Sequence, residues 1–164
     1  MWQENESAMQ FINIATATTL TGWSERTFWR RFADGSVKRD TSAAAGKSMV
    51  EFDSIKPHIV IPLGQEDYSL VQAADNGDAE AQTDLALLFI SHHKLKQGIA
   101  WLEAAVKQEH AAAMRLMGRC HIEGQGVEQD DNLGMMWIAR AAAKGDPIAQ
   151  AQMQAILNKV TQEG

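Results

Sequence analysis

Residues 117–145 read MGRCHIEGQGVEQDDNLGMMWIARAAAKG. Two helical stretches flank the polar insert HIEGQGVEQDD (121–131). Gly124 and Gly126 permit a tight turn, because glycine enters the left-handed region without a Cβ penalty. Val127 tucks that turn down, and Asp130 is placed to cap the second helix with its carboxylate. Trp137 falls on the buried side of this second helix. Gly145 suits the left-handed residue that closes it. The first helix carries small residues, where a neighbouring helix must approach closely.

The same grammar recurs through the second half of the chain. SLVQAADNGDAEAQTDLA (69–86), WLEAAVKQEHAAAMRLMG (101–118) and WIARAAAKGDPIAQAQMQ (137–154) align without a gap. Ala73, Ala105 and Ala141 fall in register, followed by Gly77, Glu109 and Gly145, then Ala81, Ala113 and Ala149, then Leu85, Met117 and Met153. The spacing is 32 residues and then 36, and Gly98/Gly134 and Trp101/Trp137 also match. Paired helices at such a period stack into an α-solenoid, in which each pair buries its apolar face against the next. The unit over 113–148 is complete. That over 81–112 is degenerate, since FISHHKLKQG (89–98) lacks four residues and the GxG turn. IAQAQMQAILNKV supplies only a first helix, which would cap the stack.

The pattern AxxxLG…GxGVxxD…AxxWxxxAAxxG resembles the Sel1-like repeat, a relative of the tetratricopeptide repeat, over about residues 66–160. The resemblance implies a protein-binding adaptor whose first helices line a concave face. Thr83, Arg115 and Arg119, two or six residues past the aligned alanines, are then the expected partner-binding side chains.

The first half differs. In FINIATATTLTGWSERTFWRRFADGS (11–36), a short helix presents Ala17 and Leu20 on one face, and Gly22 breaks it. Trp23 packs inward and Ser24 caps a second helix. Phe28 and Phe32, at i and i+4, form its buried stripe, so Glu25, Arg26, Trp29 and Arg30 face outward. Gly35 ends it. Val37 and Met49–Val50–Glu51–Phe52 read as two short strands, and Asp53 as the cap of a brief helix, SIKPHI. Helix, glycine turn and capped helix make a helix-turn-helix. The order A17xxLxGxS24xxTFWRRFxxG35 followed by G46KSMVEFDSI55 resembles the small winged helix-turn-helix domains of the excisionase and MerR-like kind, over roughly residues 11–60.

That second resemblance implies double-stranded DNA as a partner. The second helix would enter the major groove, with Ser24, Glu25, Arg26 and Thr27 at its phosphate-favouring N-terminus. Arg30 is a candidate for guanine O6/N7 or for phosphate, and Arg26 for the same one turn earlier. Glu25 could accept from cytosine N4 or pair with Arg26 or Arg30. Arg31 stands where an apolar residue is common in the resembling families. Lys38, Arg39 and Lys47 would follow the backbone from the wing, adding affinity rather than sequence choice. With roughly three to five phosphate contacts, so small a domain binds weakly and loses affinity with salt. Useful affinity would need a homodimer or a protein partner.

Charge supports a division of labour. The net charge is −6, yet residues 1–62 hold seven basic and seven acidic groups, whereas residues 63–164 hold eight and fourteen. Most of the first half's cations fall between positions 26 and 47. A single cysteine, Cys120, excludes an internal disulfide and fits a reducing compartment. MWQENESAMQ lacks a basic n-region and an apolar h-region, and no apolar run approaches about 18 residues. The expectation is a cytoplasmic protein without membrane association.

No phosphate-binding glycine loop, GxSxG, HExxH or CxxC occurs, so neither an enzyme nor a cofactor or metal is expected. Cys120 and His121 are adjacent on a helix and point about 100° apart. His121 takes the repeat position of Phe89, a core site, and Cys120 reads as a core filler. His92 and His93 sit in the shortened loop without a carboxylate or cysteine at ligand spacing. EQDD (128–131) lacks the alternating carboxylates of a calcium loop. Met117 and Met153 take buried repeat positions; Met114, Met135 and Met136 could line an adaptable binding surface, with the core the expected place for each singly.

The expected fold is mainly α: a small winged helix-turn-helix followed by a short α-solenoid of Sel1-like helix pairs. The expected division is an N-terminal tail over 1–10, the winged domain over 11–60, a linker over 61–65 and the solenoid over 66–164. Ile59–Leu63, with five apolar or proline residues, argues against a flexible tether. The expected function is a transcriptional regulator or accessory factor that couples DNA to a protein partner. The alternative is a protein-interaction adaptor without DNA binding.

Overall fold

The computed structural model describes residues 11–40 and 48–163. The chain divides into two compact units, Met1–Asn76 and Gly77–Gly164.

The first unit opens with a strand, β1 (Phe11–Asn13), that runs directly into α1 (Ile14–Thr21). Gly22, at φ 71°, ends α1. Ser24 then caps α2 (Glu25–Asp34), its hydroxyl accepting from the Thr27 amide at 3.2 Å. Two further strands follow, β2 (Arg39–Asp40) and β3 (Met49–Glu51), then α3 (Phe52–Ile55) and a 3-10 turn over Lys56–His58. The sheet is antiparallel in the order β1-β3-β2, with Ile12 opposite Val50 and Arg39 also opposite Val50. Ile12, Leu20, Phe28, Val37, Val50, Phe52 and Ile55 are buried and form the core between sheet and helices. The brief helix after β3 starts at Phe52, so Asp53 lies in its first turn rather than at its cap.

Residues 59–63, which bend at Val60 and Ile61, belong to this unit. The Val60 amide donates to the Leu20 carbonyl at 2.9 Å, and Ile61 is buried. So does α4 (Asp67–Asp75), which the repeat alignment assigns to the solenoid. The amide and the side-chain Nδ2 of Asn13 both donate to Asp75 Oδ1 at 3.0 Å, tying the end of α4 to β1. Tyr68 meets Phe52 edge-on at 5.1 Å. The division therefore falls at Asn76/Gly77 instead of within 61–65, because these long-range contacts outweigh the local repeat pattern.

The second unit is wholly helical where described: α5 (Ala79–Ser91), α6 (Leu95–Lys107), α7 (Ala111–Glu123), α8 (Asp131–Ala143) and α9 (Pro147–Gln162). α5 pairs with α6 and α7 with α8. α6 packs on α7, and α8 on α9. Asp78, Asp130 and Asp146 cap α5, α8 and α9, accepting from Ala81, Leu133 and Ala149 amides at 2.7–2.9 Å. Each satisfies one of the amides that a helix start leaves without a partner.

Glycine sets the separation within each pair. A Cβ on Gly134 would meet the Gly118 carbonyl oxygen at 2.7 Å and Ile122 Cγ1 at 2.6 Å, so α8 crosses α7 almost backbone to backbone. Gly98 plays the same part in α6, facing Ala86 and Ile90 of α5. Gly77 and Gly145 adopt φ 96° and 97°, as their helix-closing role requires. Glu109, at the third equivalent position, is also forced to positive φ, at 58°. Around the last pair Met114, Ile138, Ala141 and Ala149 form a buried cluster, with Trp137 and Met153 against it. Met117 is buried as expected, whereas Met136 is exposed.

Candidate functional site

Two surfaces gather the side chains singled out by the sequence. On the first unit, Phe28 is fully buried and turns α2 so that Glu25, Arg26, Trp29 and Arg30 are exposed. Arg26 and Arg30 form no ion pair among the described residues. Ser24 and Thr27 are occupied with each other at the helix start, their hydroxyl oxygens 3.1 Å apart. Arg31 does not join this face. Its guanidinium lies 4.0 Å from the centroid of the Trp23 ring, and its Nε is buried without a hydrogen-bond partner. Trp23 in turn meets Phe28 at 5.4 Å and His58 at 4.7 Å. Arg31 is thus drawn inward by a cation–π contact, a structural place rather than a ligand-facing one.

Lys38 and Arg39 are exposed at the start of the β2–β3 hairpin. Arg39 reaches back over α2, 5.5 Å from the Trp29 ring centroid and 5.9 Å from that of Phe32. Lys47 lies outside the described residues. At the end of α2, the hydroxyl and amide of Ser36 hold the Asp34 carboxyl below its ordinary range, helped by Arg31 and Arg30. Asp34 is therefore committed to closing the helix.

On the second unit, the three expected partner-binding residues separate. Thr83 is only 3% exposed, and its hydroxyl donates to the Ala79 carbonyl at 2.8 Å and lies 3.0 Å from His110 Nδ1. Arg115 forms a 3.0 Å ion pair with Asp146, with side-chain exposures of 17% and 6%. These two contacts are equivalent. In each, the residue two places past the aligned alanine bonds the residue that starts the next first helix. Thr83 and Arg115 therefore fasten neighbouring pairs together. Arg119 is exposed. The same repeat position is Leu87 in α5, exposed at 37%, and Ala155 in α9, also exposed. Leu87, Arg119 and Ala155 thus form a row on successive first helices.

The chain is similar to two solved structures over about half its length. One is a Sel1 repeat protein from Oxalobacter formigenes, 33% identical with a TM-score of 0.52, covering 54% of this chain and 27% of that one. The other is a protective antigen present in uropathogenic Escherichia coli strains that displays an SLR fold. It is 29% identical with a TM-score of 0.51, covering 56% of this chain and 21% of that one. Over that length the chain is thus similar to Sel1-repeat proteins. The chain spans about a quarter of the length of these proteins. No protein-family profile matches the chain, and no curated protein matches it.

Within the Sel1-like unit, Cys120 is buried, and burial pushes its thiol up from the ordinary range. His121 is half-buried, its Nδ1 3.3 Å from the Glu128 carbonyl of the inter-helix loop, while its counterpart Phe89 is fully buried. His92 and His93 are exposed in the short α5–α6 connection, where His93 takes φ 58°. No described helix is long and apolar enough to cross a membrane. Leu87 escaped the sequence reading although it shares the six-residue offset that picked out Arg119. Trp29 was read as outward-facing but not as a contact residue.

Proposed function

We propose that the chain is a protein-interaction module, with the exposed first-helix row of its Sel1-like pairs as the docking face. The observation that carries this is the row itself. Leu87, Arg119 and Ala155 repeat at one position, while the neighbouring Thr83 and Arg115 are consumed in holding the pairs together. A bonded scaffold beneath an exposed, chemically mixed row suits recognition, since binding side chains work best when their support is rigid. The likeness to Sel1-repeat proteins supports the same role. No catalytic step is assigned to the chain. Affinity purification of the full chain beside a Leu87→Asp/Arg119→Glu variant tests the proposal. A co-purifying protein that the variant loses, with the circular dichroism spectrum unchanged, is the expected result. Equal recovery by both would remove the row from the account.

A second reading adds nucleic acid as a ligand of the first unit, giving an accessory factor that couples it to a protein. It is favoured by Arg26 and Arg30, exposed on a Ser24-capped helix that follows a glycine turn, with Lys38 and Arg39 beside it. Binding to random-sequence DNA across a salt series, lost in an Arg26→Ala/Arg30→Ala variant, is its test.

A further inference from the structure

Trp29 is a large aromatic side chain left exposed on α2. It stands in the middle of α2, turned about 100° from buried Phe28, and 46% of it is exposed. Yet it is not loose. Phe32 meets it edge-on at 5.5 Å and an interplanar angle of 85°, and the Arg39 guanidinium lies over the ring at 5.5 Å. A large aromatic plane is thus held rigid and left accessible. Arg26 stands one turn before it on the same helical face, and Arg30 is its neighbour in sequence; both are exposed. From residue 24 to residue 39 the exposed cations are Arg26, Arg30, Lys38 and Arg39, against the carboxylates Glu25 and Asp34, in a chain whose net charge is −6. One of those carboxylates, Asp34, is bonded to Ser36. The charge complement of this patch is a polyanion.

We propose that this patch binds single-stranded nucleic acid, an unpaired base stacking on Trp29 while Arg26, Arg30 and Arg39 hold the flanking phosphates; the proposal rests on the nucleic-acid reading of α2. The choice of strand state comes from the ring. An indole offers one N–H and no acceptor, so it reads base edges poorly. Its face, in contrast, complements the face of any base, and a duplex hides those faces within its stack. Aromatic platforms set among backbone-binding cations are how single strands are held, at about 1–3 kcal/mol per stacked base.

The test measures fluorescence anisotropy of a labelled dT15 strand and of a random-sequence duplex of equal length, each titrated with the full chain at several salt concentrations. The proteins are wild type, Trp29→Ala, Trp29→Phe and Arg26→Ala/Arg30→Ala, each checked by circular dichroism. Wild type should bind the single strand more tightly than the duplex. Trp29→Ala should weaken single-strand binding about tenfold, within the range that one lost stack gives. Trp29→Phe should restore most of it, which guards against a folding effect. With three phosphates engaged the logarithmic salt slope should be about −2, and the double arginine variant should remove more than half of it. Duplex binding that is equal or tighter, or single-strand binding unchanged in Trp29→Ala, overturns the stacking proposal and leaves the nucleic-acid reading standing. Binding to neither probe at low salt overturns both.

Discussion

Replacing Gly134 by alanine should destabilise the Sel1-like unit, although alanine is the better helix former. In an open helix the exchange gains about 1 kcal/mol. Here the added methyl would lie 2.6 Å from Ile122 Cγ1, 2.7 Å from the Gly118 carbonyl oxygen and 3.2 Å from the Ile122 amide nitrogen. Ile122 can rotate its side chain, but the carbonyl belongs to the backbone of α7 and yields only if the two helices part. Overpacking of this kind costs about 1–3 kcal/mol, and contact with a fixed oxygen sets it at the upper end. The net loss should be about 2 kcal/mol, which moves a urea midpoint down by about 1 M. At Gly98 the closest backbone atom, the Ala86 carbonyl oxygen, is 3.1 Å away, and the 2.5 Å contact is with the side chain of Ile90. Gly98→Ala should therefore come out near neutral. Urea titrations followed by circular dichroism at 222 nm would rank the two variants, with exposed Ala100→Gly reporting the bare propensity. A Gly134→Ala protein as stable as the wild type would refute the backbone-to-backbone crossing.

Asp146→Ala should cost about 2–4 kcal/mol, since it removes both the α9 cap and the partner of half-buried Arg115. Asp130→Ala, an exposed cap alone, should cost about 1 kcal/mol by the same melts. Glu109→Gly should raise stability by about 1 kcal/mol by relieving a left-handed non-glycine residue, because the exposed contact of Glu109 with Lys144 contributes little. The Cys120 thiol, buried and shifted upward, should react with an aromatic disulfide reagent at pH 8 at least tenfold more slowly in the folded chain than in 6 M urea. Equal rates would place it at the surface.

The helix pairs were legible because their signals are local and repeat. Glycines at the crossings, alanines at the contacts and aspartates at the caps each encode one geometric demand, and the demand recurs at 32 and 36 residues. Helix α2 was legible for the same reason: Ser24, the Phe28/Phe32 stripe and Gly35 fix its start, face and end within a dozen residues. What escaped depends on contacts distant in sequence. SLVQAADNG carries the repeat's Ala73 and Gly77, yet Asn13 binds Asp75 across 62 residues and draws α4 into the first unit. Strand β1 is three residues long, too short to show a period, and is defined by Val50 across the sheet. Thr83 and Arg115 lie at an offset that suits an exposed face, but each is captured by the residue opening the next first helix, 27 and 31 positions on. That pairing was encoded, since both partners occupy equivalent repeat positions. Arg31 turned inward, where its guanidinium lies 4.0 Å from the Trp23 ring centroid.

The most direct test of the proposed role is a quantitative affinity purification of the tagged full chain from the cells that express it, after nuclease treatment. Wild type, Leu87→Asp/Arg119→Glu and Trp29→Ala proteins would be compared. The interaction-module account predicts a protein recovered in stoichiometric amount with wild type and with Trp29→Ala, and lost with Leu87→Asp/Arg119→Glu while the helical spectrum is kept. Recovery of that protein undiminished by Leu87→Asp/Arg119→Glu, or no stoichiometric protein with any of the three, would contradict it.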